Sequence, residues 1–239
     1  MPLEQIDENI WLAEGEIVSF HGFPYPTRAI IIRLPDGALW VWSPIALTDE
    51  LQAEIDALGP VAHLISPNAI HHLYMGDWKE AYPKAALWGP PATIAKRTDL
   101  TFTGTLDDTA PPAWAGTIDQ WNLQIGRKFS EVIFLHRPSR TAILTDTIEA
   151  FDTGFLQRHW SVWQRWVAQI LGITNDPGCA PLDLRLLTLP RRGPIRARVQ
   201  QLIDSKPARV IMAHGVWQRD NGAAWLARAF RWLRVNPPS

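Results

Sequence analysis

Two periodicities share this chain. Residues 28–32 and 38–42 are short β-rich apolar runs joined by Leu34-Pro35-Asp36-Gly37, and a Pro-Asp-Gly step between two such runs predicts a β-hairpin. From Thr48 the period becomes helical. Thr48 supplies an N-cap oxygen, Asp49 and Glu50 place negative charge in the first turn, Leu51, Ile55 and Leu58 recur on one face, and Gly59 stops the helix. Residues 61–65 then read as a buried strand. Further on, residues 78–81 predict a short helix, 85–88 a strand, and Pro91 the first turn of another helix. Runs at 131–135 and 142–145 flank six turn residues, giving a second hairpin whose return strand ends on Asp146. Residues 154–173 predict a single helix on which Trp160, Trp163 and Trp166 make one face. A helix over 193–203, a strand at 210–212 and an amphipathic helix over 221–233 complete an α/β pattern.

Composition narrows the partners. The 239 residues are 46% hydrophobic and 20% charged, enough for an ordinary core, and no linker-like stretch divides them, so residues 1–239 read as one domain. A formal net charge of −1 offers no general attraction to phosphate backbones, and no nucleic-acid partner is expected. No stretch approaches the roughly 20 apolar residues of a membrane span, and residues 1–7 lack a basic region followed by an apolar run. The expectation is therefore no membrane partner and a cytoplasmic location. The single cysteine, Cys179, excludes an intramolecular disulfide framework and reads as an inert thiol. Nucleophile-elbow, dinucleotide and P-loop signatures are all missing. The 13 tryptophans bring large amphipathic rings that serve cores and interfaces alike.

Residues able to carry chemistry gather where strands end, the usual place for α/β ligand clefts. Ser66-Pro67-Asn68-Ala69-Ile70-His71-His72 follows the strand at 61–65. Asp146 stands in Leu144-Thr145-Asp146-Thr147, and His214 in Ile211-Met212-Ala213-His214-Gly215. Each also has a plainer reading: a polar loop, a turn carboxylate accepting backbone N–H bonds, and a core-edge histidine. His21, inside Phe20-His21-Gly22-Phe23-Pro24-Tyr25-Pro26, belongs either to a packed surface loop or to a flap over a site. His136 reads as structural, and Arg185, Arg191, Arg192, Arg196 and Arg198 as a solvated helix face or an anion site.

In order and context these segments resemble the metallo-β-lactamase superfamily over roughly residues 5–233. The resemblance implies a four-layer αββα sandwich, two mixed β-sheets face to face with helices outside, and a metal-dependent hydrolase. On the superfamily's histidine-rich signature, Pro67 and Ala69 fall in the first-metal slots, where neither can coordinate. His71 and His72 fall in the next two, Asp146 in the bridging carboxylate slot and His214 in the last. No histidine stands around Phe129 or Ser130, where the remaining first-metal ligand belongs. The implied site holds one divalent ion, zinc by its N and O ligands, on His71, His72, Asp146 and His214. Four protein ligands fill a tetrahedron and leave no place for a reacting water, so weak or absent turnover of a small-molecule ligand is expected. The alternative is a non-catalytic, metal-free binding module that uses the aromatic mouth around Phe20, Phe23 and Tyr25.

Overall fold

Parity along the strands decides which side chain enters which layer. In the computed structural model, which describes residues 3–126, 129–174 and 178–238, seven strands form one sheet. They are β1 (Glu4–Asp7), β2 (Ile10–Phe20), β3 (Phe23–Arg33), β4 (Leu39–Trp42), β5 (Val61–Ile65), β6 (Ala86–Gly89) and β7 (Gly104–Thr105), in sequential order. Pairing is antiparallel from β1 to β4 and parallel from β4 to β7. The second sheet contains β8 (Ile118–Gln124), β9 (Ser130–His136), β10 (Thr141–Leu144) and β11 (Arg209–Met212), in the order β11-β10-β9-β8. Only its β10–β11 pair is parallel, so both sheets are mixed.

Successive strand residues point to opposite faces. Ile30 and Ile32 of β3 and Trp40 and Trp42 of β4 therefore face Val132 and Phe134 of β9, Ile143 of β10 and Ile211 of β11 in one core between the sheets. Their neighbours Ile31, Leu39 and Val41 face outward under α1 (Asp49–Leu58) and α2 (Met75–Ala81), where Leu51, Ile55 and Trp78 cover them. On the far side Ile133, Leu135, Leu144 and Met212 meet Val199 and Leu202 of α7 (Arg192–Asp204) and Leu226 of α8 (Gly222–Ala229). Three apolar layers between four structural layers make the αββα sandwich. Helix α3 (Pro91–Lys96) follows β6, and α4 (Thr153–His159), α5 (Val162–Leu171) and α6 (Leu182–Leu187) lie between β10 and α7 in the chain. No described helix is long and apolar enough to cross a membrane.

Local signals account for most boundaries. Thr48 Oγ1 accepts from the Leu51 N–H, and Gly59 closes α1, as the sequence requires. The predicted helix over 154–173 is instead two. Trp160 is extended (φ −107°, ψ 134°), its indole donates to the Pro24 carbonyl, and Ser161 with Gln164 starts α5 through a reciprocal capping box. The three tryptophans consequently share no face: Trp160 is buried, while Trp163 and Trp166 are exposed. At the C-terminal end α8 stops at Ala229 and a 3-10 turn covers Arg231–Leu233.

Trp40 is fully buried between the sheets, edge-on to Trp114 and Phe134. Trp40→Ala should therefore lower unfolding stability in a urea titration by about 3–5 kcal/mol. Its indole N–H has no partner among the described residues. Trp40→Phe, which removes that donor and keeps a ring, should cost much less.

Candidate metal centre

A buried carboxylate shapes the loop after β10. Glu131, on β9, is fully buried, and its two oxygens accept the backbone N–H groups of Thr145, Asp146 and Thr147 and the Thr147 hydroxyl at 2.7–2.9 Å. Burial and the nearby Asp146 charge raise its pKa, and the donors oppose them. Three backbone N–H groups, which can only donate, and the Thr147 hydroxyl favour the ionised form. The turn so held presents Asp146 to a second organiser, Asn68. The Asn68 amide donates to Asp146 Oδ2 at 2.7 Å and to Thr145 Oγ1 at 2.9 Å, while its carbonyl accepts the N–H groups of Ile70 and His71. One amide thus couples the loop after β5 to the loop after β10. The Pro67 carbonyl, accepting from the Val132 N–H, adds a further tie to β9.

His214 enters from the loop after β11. Its Nδ1 lies 2.9 Å from the Pro26 carbonyl, which can only accept, so the proton sits on Nδ1 and Nε2 faces inward. Arg28 clamps the same loop by donating to the carbonyls of Met212 and Gly215, with Glu14 as its counter-ion. Gly215 adopts φ +94°, and a Cβ there would meet the Ala150 carbonyl oxygen at 2.1 Å, so glycine is required beside His214. His71 Nδ1 lies 2.9 Å from Ser43 Oγ and its ring stacks on Trp42.

Three of the four sequence candidates converge. His71 Nε2 and His214 Nε2 each lie 3.3 Å from Asp146 Oδ1, and the three donor atoms are all within 4.8 Å of one another. His72 is outside this group. Arg97 donates to its carbonyl and lies 3.4 Å from its Nδ1. Adjacent residues on an extended backbone diverge, and the turn after Asn68 delivers only the first ring to the centre. Donors at ~2.0–2.1 Å from a tetrahedral ion stand about 3.3–3.4 Å apart, so both measured edges fit one such ion. Burial lowers the His214 pKa, and the neighbouring Asp146 carboxylate opposes that shift. Burial alone would raise the Asp146 pKa, but His71 and His214 together hold it below the usual carboxylate range. His71, Asp146 and His214 fit a divalent ion, and no further His, Cys, Asp or Glu joins the group among the described residues.

A cavity of about 490 Å³ opens over these three residues. In its wall lies Glu149, which sequence reasoning passed over because it looks like an ordinary polar residue in a loop. Its backbone pairs with Cys179, and the next residue, Ala150, donates its N–H to the His214 carbonyl. The side chain is buried, and its Oε2 has no hydrogen-bond partner among the described residues. Burial, then the charge of Asp146, pushes its pKa well above the ordinary value. Tyr25 shares this wall, its ring edge-on to His214 at 4.8 Å, and burial with Glu149 raises its pKa too.

The remaining candidates resolve individually. His136 is buried against Ser139 at 2.7 Å, and burial lowers its pKa to about 4. His21 lines the outer cavity from the β2–β3 turn. Arg185 and Arg192 donate to main-chain carbonyls and Arg198 pairs with Asp108, so the basic run does not assemble one anion site. Cys179 is buried.

Residues 7–157 match the family model described as a domain of unknown function, DUF4336, and the chain belongs to that family. No curated protein matches it. Among solved structures it is similar to a metallo-β-lactamase from Pontibacter korlensis, at 15% identity, TM-score 0.61 and coverage of 98% of this chain and 99% of that one. The corresponding figures are 12%, 0.61, 97% and 95% for a metallo-β-lactamase from Erythrobacter litoralis with β-mercaptoethanol in its active site. They are 10%, 0.58, 98% and 94% for the metallo-β-lactamase FIM-1 from Pseudomonas aeruginosa in a mono-zinc form. These likenesses establish the metallo-β-lactamase fold.

Glu131→Gln replaces one acceptor oxygen with an amide that faces N–H groups. Two unsatisfied donors at roughly 1.5–3 kcal/mol each should cost about 3–6 kcal/mol in urea unfolding. For Glu149 the sign follows from its raised pKa: folding takes up a proton between the unfolded value near 4.5 and the higher folded value, so stability falls as pH rises through that window. Glu149→Gln removes that slope. In EDTA-treated protein, the melting-temperature gain of Glu149→Gln over wild type should grow from pH 5 to pH 8.

Proposed function

We propose that this chain is a metal-dependent hydrolase built on a single divalent ion, zinc by its ligand chemistry, held by His71, Asp146 and His214. The supporting observation is the pair of 3.3 Å edges meeting at Asp146 Oδ1, with each histidine oriented through its other nitrogen. The same reading takes residues 1–239 as one domain, supported by the core shared between the two sheets. Without His72 the ligand set no longer fills a tetrahedron, and the expectation of a closed, sluggish site loses its premise. An ion bound there supplies Lewis acidity to a substrate oxygen and lowers the pKa of a water in the open position.

The chain's own residues do the rest. Asn68 fixes Asp146, Pro26 fixes the tautomer of His214, and Ser43 and Trp42 fix the plane of His71. Apolar walls limit the water that reaches the cavity floor, where interactions between charges strengthen as the dielectric falls. Glu149 holds a proton at the wall and is suited to deliver it to a departing oxygen or nitrogen. The cavity also favours a second reading, a binding module that holds its ligand without turnover, with Phe20 and Tyr25 of the expected aromatic mouth in the lining, while Phe23 packs on Trp160 and Trp163 outside it.

Zinc titration of EDTA-treated protein should saturate at one ion per chain. Asp146→Ala or His214→Ala should weaken binding by at least about a hundredfold, beyond the 10–100-fold typical of residues that only support ligands. His72→Ala should leave affinity within threefold. Zinc-dependent hydrolysis across an ester, thioester, lactam and phosphodiester panel, abolished by Asp146→Asn, identifies a hydrolase. One bound ion with no turnover identifies the binding module, and two ions would refute the single-ion site.

A further inference from the structure

Exposed apolar surface on this protein is concentrated. Of thirteen large apolar side chains exposed among the described residues, eight lie between Val162 and Leu189, which excludes a random scatter. Four of the thirteen, Phe20, Ile70, Leu73 and Leu187, also line the cavity and so form its rim. The lining also holds Val18, Ile45, Leu171 and Leu184, together with the polar His71, Asp146, His214 and Glu149 of the candidate centre and with Tyr74 and Asp183. The cations in the lining are scarce: Arg28 is committed to Glu14 and two carbonyls, which leaves no free guanidinium for a charged tail.

Taking His71, Asp146 and His214 as the reacting end, and so resting on the hydrolase reading, we propose that the substrate is an amphiphile with one unbranched or lightly branched apolar chain. Its polar head lies over the three ligands. The chain runs out along Leu184 and Leu187 on one side and Val18 and Phe20 on the other, and passes the rim toward the exposed Trp163 and Trp166 of α5. A volume of about 490 Å³ lies within the range of drug-sized ligands, roughly 300–1,000 Å³, and suits a medium-length chain rather than a bare small polar substrate. A seated chain would cover Phe20, Ile70, Leu73 and Leu187, the exposed apolar side chains that line the cavity.

The test reads the dependence of affinity on chain length, which is separate from the anchoring of the head. Butano-, hexano-, octano- and decanohydroxamic acids are titrated calorimetrically into zinc-loaded and EDTA-treated protein, below their aggregation concentrations. Full burial is worth about fourfold in affinity per methylene, so at least a tenfold gain is expected from the four-carbon to the eight-carbon probe. Loss of the zinc-dependent offset alone would remove the metal reading and leave the chain site standing. Equal affinity for all four lengths overturns the proposal. Leu187→Asp and Phe20→Ser, both at exposed positions, should each flatten the slope, whereas Leu189→Asp, exposed on the same segment but outside the cavity lining, should preserve it. Equal flattening by Leu189→Asp would mean nonspecific adhesion, and overturns it. So would a dimer in sedimentation velocity that Leu187→Asp dissociates, with a flat slope, because the rim would then belong to a second copy of the chain.

Discussion

Everything at the candidate centre hangs from one buried carboxylate. Glu131 lies near the start of the apolar, fully buried strand β9, where an ionised group is expensive unless it is fully hydrogen-bonded. Four donors from three consecutive residues satisfy it and in the same act fold residues 145–147 into the turn that carries Asp146. The turn has no regular secondary structure of its own, and without an acceptor its inward N–H groups would be buried and unpaired. The charge also has a direction of influence. It leaves Asp146 free to use its own oxygens on Asn68, His71 and His214, because the backbone beneath is already satisfied. Sheet register, loop shape and ligand position therefore form one problem with one solution.

The make-up of the candidate group follows from the backbone after β5. His71 and His72 are adjacent, and the chain that turns around Asn68 aims His71 at Asp146. The other is taken up by Arg97, whose guanidinium contacts the His72 carbonyl and ring. Residue types alone gave four candidates, and the turn brings three of them into one group.

The sandwich was legible because its strands alternate cleanly: both hairpins, α1 with its Thr48 cap, and the strands ending before Ser66, Asp146 and His214 are all where the pattern puts them. The strands β2 and β8 were not, since Glu14, Glu16, Asp119 and Asn122 interrupt the apolar pattern and only an adjacent strand supplies their pairing. Trp160 misled for a different reason. Helical spacing of large rings is blind to a capping box, and Ser161 with Gln164 breaks the helix that the rings suggested. Glu131 and Asn68 carry no motif of their own. A lone carboxylate inside Ser130-Glu131-Val132-Ile133-Phe134 was the available signal, because a charge in a buried strand demands partners.

Glu149 and the apolar walls belong to one physical arrangement. A carboxyl beside Asp146 has its pKa raised because the surroundings are poor in water and already carry a negative charge. The same poverty of water is what makes the orientation of His71 and His214 matter, since a misaligned dipole in a low dielectric is costly and an aligned one is strong. Seating an apolar chain against Leu184 and Leu187 would remove more water from the floor and move both effects in the same direction. The proton on Glu149 would be held more firmly until a departing group of greater basicity appeared beside it. Burial of the chain and readiness of the acid thus reinforce each other, which gives a site with modest polar machinery a physical reason to be lined with leucine rather than with charge.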